Sequence, residues 1–245
     1  MRPIGFSTGA LAFADFRRAL VMMKDELAIS VVELSALREP ELEPLVHGLD
    51  LLDLSRFTFR AVHAPSVMED ERGVVKLLDE VAARGLPIVV HPDAIRDWGL
   101  WRHFGSLLCI ENMDKRKAVG RSRNELGRCF DQLPQAGLCL DLGHARQVDP
   151  TMTEAELILR TFGDRLKHIH LSEVDTQSKH DRLSYTAACA CRQVAELIPE
   201  MTPIVLETPV SEEAMALEIR RANWALEKGG APSANDRTPV LKRSA

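Results

Sequence analysis

The chain has 245 residues, of which 45% are hydrophobic, so it is long enough to bury a full core as one large domain. Its formal net charge of -5 argues against a dedicated nucleic-acid-binding protein but not against a small anionic substrate. No segment approaches the roughly 20 apolar residues that a membrane span requires, and the N-terminus has no signal-peptide pattern. We therefore expect a soluble, cytoplasmic, single-domain protein that makes no membrane contact.

Short apolar segments typical of buried strands alternate with longer amphipathic segments typical of helices. The predicted strands are residues 4–7, 31–35, 60–63, 87–91, 107–111, 138–141, 166–171 and 203–207. The predicted helices are residues 15–24, 41–52, 69–84, 94–104, 123–133, 153–162, 185–198 and 211–228. Eight alternations in a chain of this length predict the α/β class and, within it, a single (β/α)8 TIM barrel.

Two further features of the sequence define this domain. After the first predicted strand, the segment Ser7-Thr8-Gly9-Ala10 lacks the glycine-rich phosphate loop that a doubly wound open sheet usually carries there. From residue 229 the composition becomes rich in glycine, alanine, proline and serine, which is typical of a disordered segment. We therefore predict a barrel over residues 1–228 and a flexible C-terminal tail over residues 229–245.

Side chains suited to metal binding end six successive predicted strands. They are His63, His91, Glu111, Asp141 followed by His144, His170 and Glu207. The starts of these strands carry no comparable set. Because the C-terminal ends of all barrel strands open onto one mouth, these residues are predicted to form a single site although they lie far apart in the sequence.

The residue types of this set indicate which metal it would bind. Histidines mixed with carboxylates, without cysteine, favour Zn²⁺, Mn²⁺, Fe²⁺ or Co²⁺ over Ca²⁺ or Mg²⁺. Seven candidate ligands exceed the coordination sphere of one ion, so the pattern predicts at least two ions bridged by a carboxylate. We expect two divalent ions, zinc or manganese.

Two buried polar residues accompany this set. Glu33 ends the second predicted strand among apolar neighbours, where it either orients a ligand or substrate or pairs with an arginine. His168 lies two residues before His170 and therefore on the same face of its strand, one layer deeper. We predict that His168 is a hydrogen-bonded histidine of the barrel interior.

The strand-end residues lie in short motifs that occur together in a known superfamily. The motifs are Val62-His63-Ala64-Pro65, Val90-His91-Pro92, Ile110-Glu111-Asn112, Leu140-Asp141-Leu142-Gly143-His144, His170-Leu171-Ser172-Glu173, His180-Asp181-Arg182 and Leu206-Glu207-Thr208-Pro209. Because these motifs occur in this order along the chain, the sequence resembles the xylose-isomerase-like TIM-barrel superfamily. The resemblance is strongest to its metal-dependent apurinic-site endonucleases related to endonuclease IV. The sugar phosphate isomerases and epimerases of the same superfamily are a second branch that these motifs fit.

The resemblance to the nucleases implies that His63, His91 and Glu111 hold one ion. Glu111 is then implied to bridge to a second ion, which Asp141, His170 and Glu207 also hold. In these nucleases a third ion lies on residues matching His144, Asp181 and a histidine two positions after that aspartate. Here that position is Leu183, which cannot ligate a metal and argues against a third ion, although His180 could take its place from the other side.

The resemblance to the isomerases and epimerases implies a different use of the same residues. These enzymes keep one ion on the positions matching Glu111, Asp141, His170 and Glu207. The two glutamates also exchange a proton with a carbon beside a carbonyl group. His63 and His91 would then only hydrogen-bond to sugar hydroxyls.

Our leading hypothesis is a divalent-metal-dependent hydrolase that acts on a small phosphoester through a metal-activated water. Glu111 and Glu207 would fix the geometry of the ions, His144 and Asp181 would contact substrate oxygens or a third ion, and Arg146 and Arg182 are the predicted phosphate contacts. The alternative is a metal-dependent sugar or sugar-phosphate isomerase or epimerase in which Glu111 and Glu207 transfer the proton.

The predicted partner is therefore a small phosphorylated or sugar-like substrate. The chain has a net negative charge and no loop rich in lysine and arginine, which argues against duplex DNA as the substrate. A binding protein without activity is a third possibility, and it would need arginines in place of metal to neutralise the carboxylates. The sequence does not indicate an oligomeric state.

Overall fold

Parallel strands close into a barrel in the computed structural model of the protein, which describes residues 2–13 and 15–229. In chain order the strands are β1 (Ile4–Ser7), β2 (Val31–Ser35), β3 (Phe59–His63), β4 (Ile88–Val90), β5 (Leu108–Glu111), β6 (Gly137–Asp141), β7 (Leu166–Leu171), β8 (Glu173–Val174), β9 (His180–Asp181) and β10 (Ile204–Leu206). Strands β1 to β7 pair in sequence, and β10 pairs with both β7 and β1 to complete the ring. The predicted TIM barrel is confirmed, and β8 and β9 form a separate antiparallel ribbon.

Helices follow the barrel strands along the chain. Those that the structure describes are α1 (Thr8–Ala12), α2 (Phe16–Met23), α3 (Glu39–Gly48), α4 (Glu71–Ala83), α5 (Trp98–Trp101), α6 (Arg123–Gln132), α7 (Leu142–Val148), α8 (Thr153–Phe162), α9 (Tyr185–Arg192) and α10 (Glu212–Ala225). The apolar pattern of the sequence does not predict α1, α7 or the β8–β9 ribbon. Apart from Gly229, the predicted tail lies outside the described residues. None of the described helices is long and apolar enough to cross a bilayer.

The strands are buried on both faces, which explains why they appear as continuous apolar segments in the sequence. Residues that point outward, such as Ile110 and Leu140, pack in the large core between strands and helices. Residues that point inward, Val89, Cys109 and Cys139, form a small separate cluster inside the barrel. Because side chains alternate along a strand, the residue two positions after each inward residue also faces inward, at the carboxyl end of the barrel. This alternation places strand-end polar residues over one apolar layer.

We expect Gly5→Ala to lower the free energy of unfolding by more than about 2 kcal/mol. A Cβ atom at Gly5 would lie 1.7 Å from the carbonyl oxygen of Val31, on the neighbouring strand β2. Gly163→Ala is the matched control, because nothing lies within 4 Å of the added Cβ. Urea denaturation of both variants would measure the difference, and equal effects would contradict the close approach of β1 and β2.

Candidate metal centre

The carboxyl ends of the barrel strands surround a cavity of about 620 Å³. The predicted metal ligands that line this cavity are His63, His91, Glu111, His144 and Glu207. The other two, Asp141 and His170, lie fully buried beneath it and contact the lining residues. The structure therefore brings all seven predicted ligands together at one end of the barrel.

Glu111 directs its two carboxylate oxygens at different pairs of histidines. Its Oε2 lies 3.0 Å from His63 Nε2 and 3.2 Å from His91 Nε2. Its Oε1 lies 3.3 Å from His144 Nδ1 and 3.5 Å from His170 Nδ1. A carboxylate whose oxygens face opposite groups of ligands can bridge two metal ions.

Two sets of potential ligand atoms meet at Glu111. The first set is His63, His91 and Glu111, and the second set is Glu111, Asp141, His170 and Glu207. Within each set, one ligand atom from every residue lies within 4.8 Å of the others. These are the same two sets that the resemblance to the nucleases implies. Imidazole nitrogens and carboxylate oxygens are suitable donors for zinc or manganese.

Several atoms of the second set are buried without a hydrogen-bond partner. Among the described residues, Asp141 Oδ2, His170 Nδ1 and Glu207 Oε2 have none. A buried polar atom without a partner costs about 1–3 kcal/mol, and such atoms are rare in native structures. Three such atoms in one set are suited to a shared cation, so the residues present fit a divalent ion.

Backbone carbonyls fix the orientation of two histidine rings. His63 Nδ1 lies 2.7 Å from the carbonyl oxygen of Ala64, and His144 Nδ1 lies 3.0 Å from the carbonyl oxygen of Asn112. A ring nitrogen that donates its N–H to a carbonyl leaves the other nitrogen available as a ligand. His63 therefore presents Nε2 toward Glu111, and His144, which belongs to neither set, has its Nε2 available.

The position of Asp141 is fixed by the turn from β6 into α7. Its Oδ1 accepts a hydrogen bond of 2.6 Å from the backbone N–H of His144 and thereby caps α7. The Asn112 side chain bonds to both the backbone N–H and the carbonyl oxygen of Asp141, at 2.7 and 2.9 Å. Gly143 is required between Asp141 and His144, since an added Cβ would lie 2.8 Å from the carbonyl oxygen of Ser172.

Opposite charges shift the pKa values of these groups. Burial raises the pKa of Asp141 to about 6, whereas the surrounding histidines outweigh burial and hold the pKa of Glu111 well below its usual range. Burial also lowers the pKa of a histidine, but neighbouring carboxylates raise the pKa of His63 to about 9 and that of His144 to about 10. Without a metal His63 and His144 therefore retain protons, whereas burial lowers the pKa of His91. An ion bound at His63 would displace the proton on its ligating nitrogen.

The structure does not bring three of the predicted residues to this cavity. His180 and Asp181 are adjacent in β9, so their side chains point in opposite directions; His180 lines the cavity, whereas Asp181 is exposed. Arg146 forms an ion pair of 2.8 Å with Glu173. Arg182 is exposed and does not line the cavity.

Three other basic residues line the cavity, and the sequence analysis missed them. Arg116 and Lys117 follow β5, and Lys179 lies between β8 and β9. Lys117 forms an ion pair of 2.7 Å with Asp93, and Arg116 forms one of 3.5 Å with Asp114, which also lines the cavity. Lys179 is exposed. No sequence signal distinguishes them, because exposed basic side chains in loops are common and their direction depends on the loop backbone.

Beneath the seven predicted ligands, a buried glutamate contacts two histidines. Glu33 Oε2 lies 2.9 Å from His170 Nε2 and 3.5 Å from His168 Nε2. Burial alone would raise the pKa of Glu33, but the histidines lower it to about 2. Of the two possibilities that the sequence left open for Glu33, the structure excludes an arginine partner among the described residues and places it against a predicted metal ligand.

Comparison with known proteins agrees with this fold. The family described as xylose isomerase-like TIM barrel matches residues 74–225 of the chain. Among curated proteins, none matches the chain at a significant level.

Three solved structures are similar to the chain over most of its length. An AP endonuclease, family 2, from Brucella melitensis has a TM-score of 0.56 and 14% identity and covers 90% of this chain and 99% of its own. An L-ribulose 3-epimerase has a TM-score of 0.54 and 12% identity, and the match covers 92% of this chain and 91% of the epimerase chain. A xylose isomerase-like TIM barrel protein from Mycobacterium smegmatis, in complex with magnesium, has a TM-score of 0.54 and 13% identity, covering 93% and 98%. At these identities the similarity shows the shared fold and does not decide the reaction.

We expect the metal-free protein to lose stability as the pH rises from 6.5 through 9. A group whose pKa is raised on folding stabilises the native state fully below its unfolded pKa, and this contribution disappears as the pH passes its folded pKa. For His63, raised from 6.5 to about 9, the loss is on the order of 3 kcal/mol. Urea denaturation after chelator treatment would measure it. His144 contributes to the same loss, so His63→Asn should lose less than the wild type by about the His63 share, and an unchanged loss would contradict this role of His63.

Proposed function

We propose that this chain, which belongs to the xylose isomerase-like TIM-barrel family, is a divalent-metal-dependent hydrolase of small phosphoesters. The observation that carries this proposal is the placement of Glu111 between two sets of ligand atoms, with a different oxygen toward each. Hydrolysis of phosphoesters commonly uses two ions close together. The same arrangement supports the resemblance to the endonuclease branch.

His63, His91 and Glu111 would hold one ion, and Asp141, His170 and Glu207 would hold the second together with Glu111. Two zinc or manganese ions at these positions would lower the pKa of a water molecule and neutralise charge on the phosphoryl oxygens. We propose no third ion, because Asp181 is exposed and Leu183 offers no donor.

The residues above the two sets would contact the substrate. His144 has its Nε2 available because Nδ1 is held by the carbonyl of Asn112. His180 lines the cavity, bonded through Nδ1 to Ser172 Oγ at 2.8 Å, with Glu207 at 3.6 Å. We assign to His144 and His180 the contacts with substrate oxygens that the sequence analysis assigned to His144 and Asp181.

The exposed Lys179 at the mouth supports an anionic substrate, whereas Arg116 and Lys117 are paired with Asp114 and Asp93. Arg116, Lys117 and Lys179 line the cavity together with the candidate ligands. A volume of about 620 Å³ lies within the range of sites that bury a small molecule. These features favour a small phosphorylated substrate over duplex DNA.

A single-ion isomerase or epimerase is the second candidate. The set formed by Glu111, Asp141, His170 and Glu207 offers four donors by itself, enough for one ion without His63 and His91. In that reaction Glu111 and Glu207 would transfer a proton at a carbon beside a carbonyl.

The hydrolase should contain close to two metal ions per chain when it is purified without chelator, and chelation should abolish its activity. Elemental analysis measures the metal content. We expect His91→Ala to remove one ion and to lower the turnover of p-nitrophenyl phosphate or its diester at least 100-fold. His103→Ala is the control, because His103 pairs with Asp79 far from the cavity. One ion per chain in the wild type, together with an isomerase or epimerase activity that His91→Ala retains, would instead favour the isomerase.

We expect Lys179→Gln to raise the KM for a phosphorylated substrate about fivefold with little change in kcat, because an exposed cation contributes modestly to binding. The difference should shrink at high salt, where such charges are screened. Lys115→Gln is the matched control, since Lys115 is exposed but does not line the cavity. Equal KM values for both variants would contradict an anion contact at Lys179.

A further inference from the structure

Glu33 is a fully buried carboxylate in the middle of β2, not at its end as the sequence predicted. Its polar contacts within the described part of the chain are with two histidines of β7, His170 and His168. Strands β2 and β7 are not neighbours in the ring, since β1 and β10 lie between them. The Glu33 side chain therefore reaches across the barrel interior to make these contacts.

The two nitrogens of the His170 ring face different surroundings. Nε2 lies 2.9 Å from Glu33 Oε2. Nδ1 lies 3.5 Å from a carboxylate oxygen of Glu111 and 3.5 Å from one of Glu207. An ionised carboxylate can only accept a hydrogen bond, so Nε2 must carry the proton. When the ring is neutral, its lone pair is then on Nδ1, on the side of the second ligand set.

Packing alone does not require a carboxylate at this position. The second oxygen of Glu33, Oε1, has no hydrogen-bond partner among the described residues, and leaving a buried polar atom unpaired is unfavourable. A buried carboxylate–histidine pair with one oxygen left unpaired is therefore weak evidence for a purely structural role. Carboxylates that accept the second N–H of a metal-bound histidine serve to orient its ring and strengthen its donor atom.

We propose that Glu33 is a positioning residue that holds His170 with Nδ1 directed toward the bound ion. The inference rests on the metal centre proposed above, but it does not depend on which reaction that centre catalyses. Glu33 does not touch the substrate, because it is fully buried and does not line the cavity.

Glu33→Gln tests this role with little change in shape. After removal of metal, each protein is titrated with Zn²⁺ alone, and binding is measured by calorimetry together with the unfolding free energy of the metal-free protein. We expect Glu33→Gln to weaken Zn²⁺ binding about 10–100-fold at one of two sites and also to lower the stability of the metal-free protein, because the buried His170 ring loses its anionic partner. Glu33→Ala should weaken binding at least as much.

A matched control is Glu71→Gln. Glu71 is also buried, but it accepts hydrogen bonds from Trp101 Nε1 and from backbone N–H groups of Arg96 and Asp97. We expect this variant to lose stability and to bind Zn²⁺ as the wild type does. A second readout is the ring nitrogen spectrum of His170 in the Zn²⁺-loaded protein, where the proton on Nε2 should exchange slowly in the wild type and rapidly in Glu33→Ala.

The outcomes separate this inference from the proposed function. Zn²⁺ affinity of Glu33→Gln within twofold of the wild type would overturn the positioning role, as would loss of stability without loss of affinity. Weaker binding in this variant, from a wild type that binds two ions without hydrolysing phosphoesters, would support Glu33 and overturn the hydrolase. A wild type that binds no Zn²⁺ or Mn²⁺ would overturn both.

Discussion

The candidate site depends on compensation of negative charge inside a closed barrel. Glu33, Glu111 and Asp141 are almost completely buried, and ionised carboxylates in such surroundings are unfavourable unless cations or hydrogen bonds balance them. No arginine or lysine enters this interior among the described residues; the ion-pair partners of these three carboxylates are histidines. Histidine is the cation that can leave this role at neutral pH, because it can exchange its proton for a metal ion. The buried carboxylates of the barrel interior can therefore be balanced either by protonated histidines or by bound metal ions.

Closure of the barrel produces this density of charge from residues that are far apart in the chain. Each strand end contributes only one or two polar groups, and the apolar layer of Val89, Cys109 and Cys139 beneath them excludes water. Local hydrogen bonds then fix backbone and side-chain orientations that the strands alone do not determine. Asn112 holds the backbone of Asp141, and Asp141 in turn caps α7, which carries His144. An error of one residue in strand register would turn these side chains to the outer face, so the large core between strands and helices also maintains the site.

The sequence predicts the barrel and its seven strand-end residues because both depend on short-range patterns. Apolar segments bounded by polar residues locate the strands, and the shared direction of parallel strands gathers their ends. Residues just beyond the strands are less predictable. Arg146 lies two positions after His144 on α7, which turns its side chain about 200° around the helix axis and toward Glu173. Asp181 faces away because it is adjacent to His180 in β9. Arg116 and Lys179 lie in loops whose paths no periodic pattern describes, and the partner of Glu33 lies 137 residues away.

The surroundings of Glu111 bear on the choice between the two candidate reactions. A glutamate that removes a proton from a substrate carbon needs one carboxylate oxygen directed at that carbon and free of strong competing donors. In Glu111 both oxygens face imidazole nitrogens at 3.0 to 3.5 Å, and the residue is 1% exposed. Glu207 differs, because its side chain is 14% exposed and its Oε2 has no hydrogen-bond partner among the described residues. Proton exchange by two equivalent glutamates requires both to reach the substrate, whereas a bridging role requires one to be enclosed by ligands on both sides. The unequal surroundings of Glu111 and Glu207 therefore support the bridging role of Glu111 on which the proposed hydrolase depends.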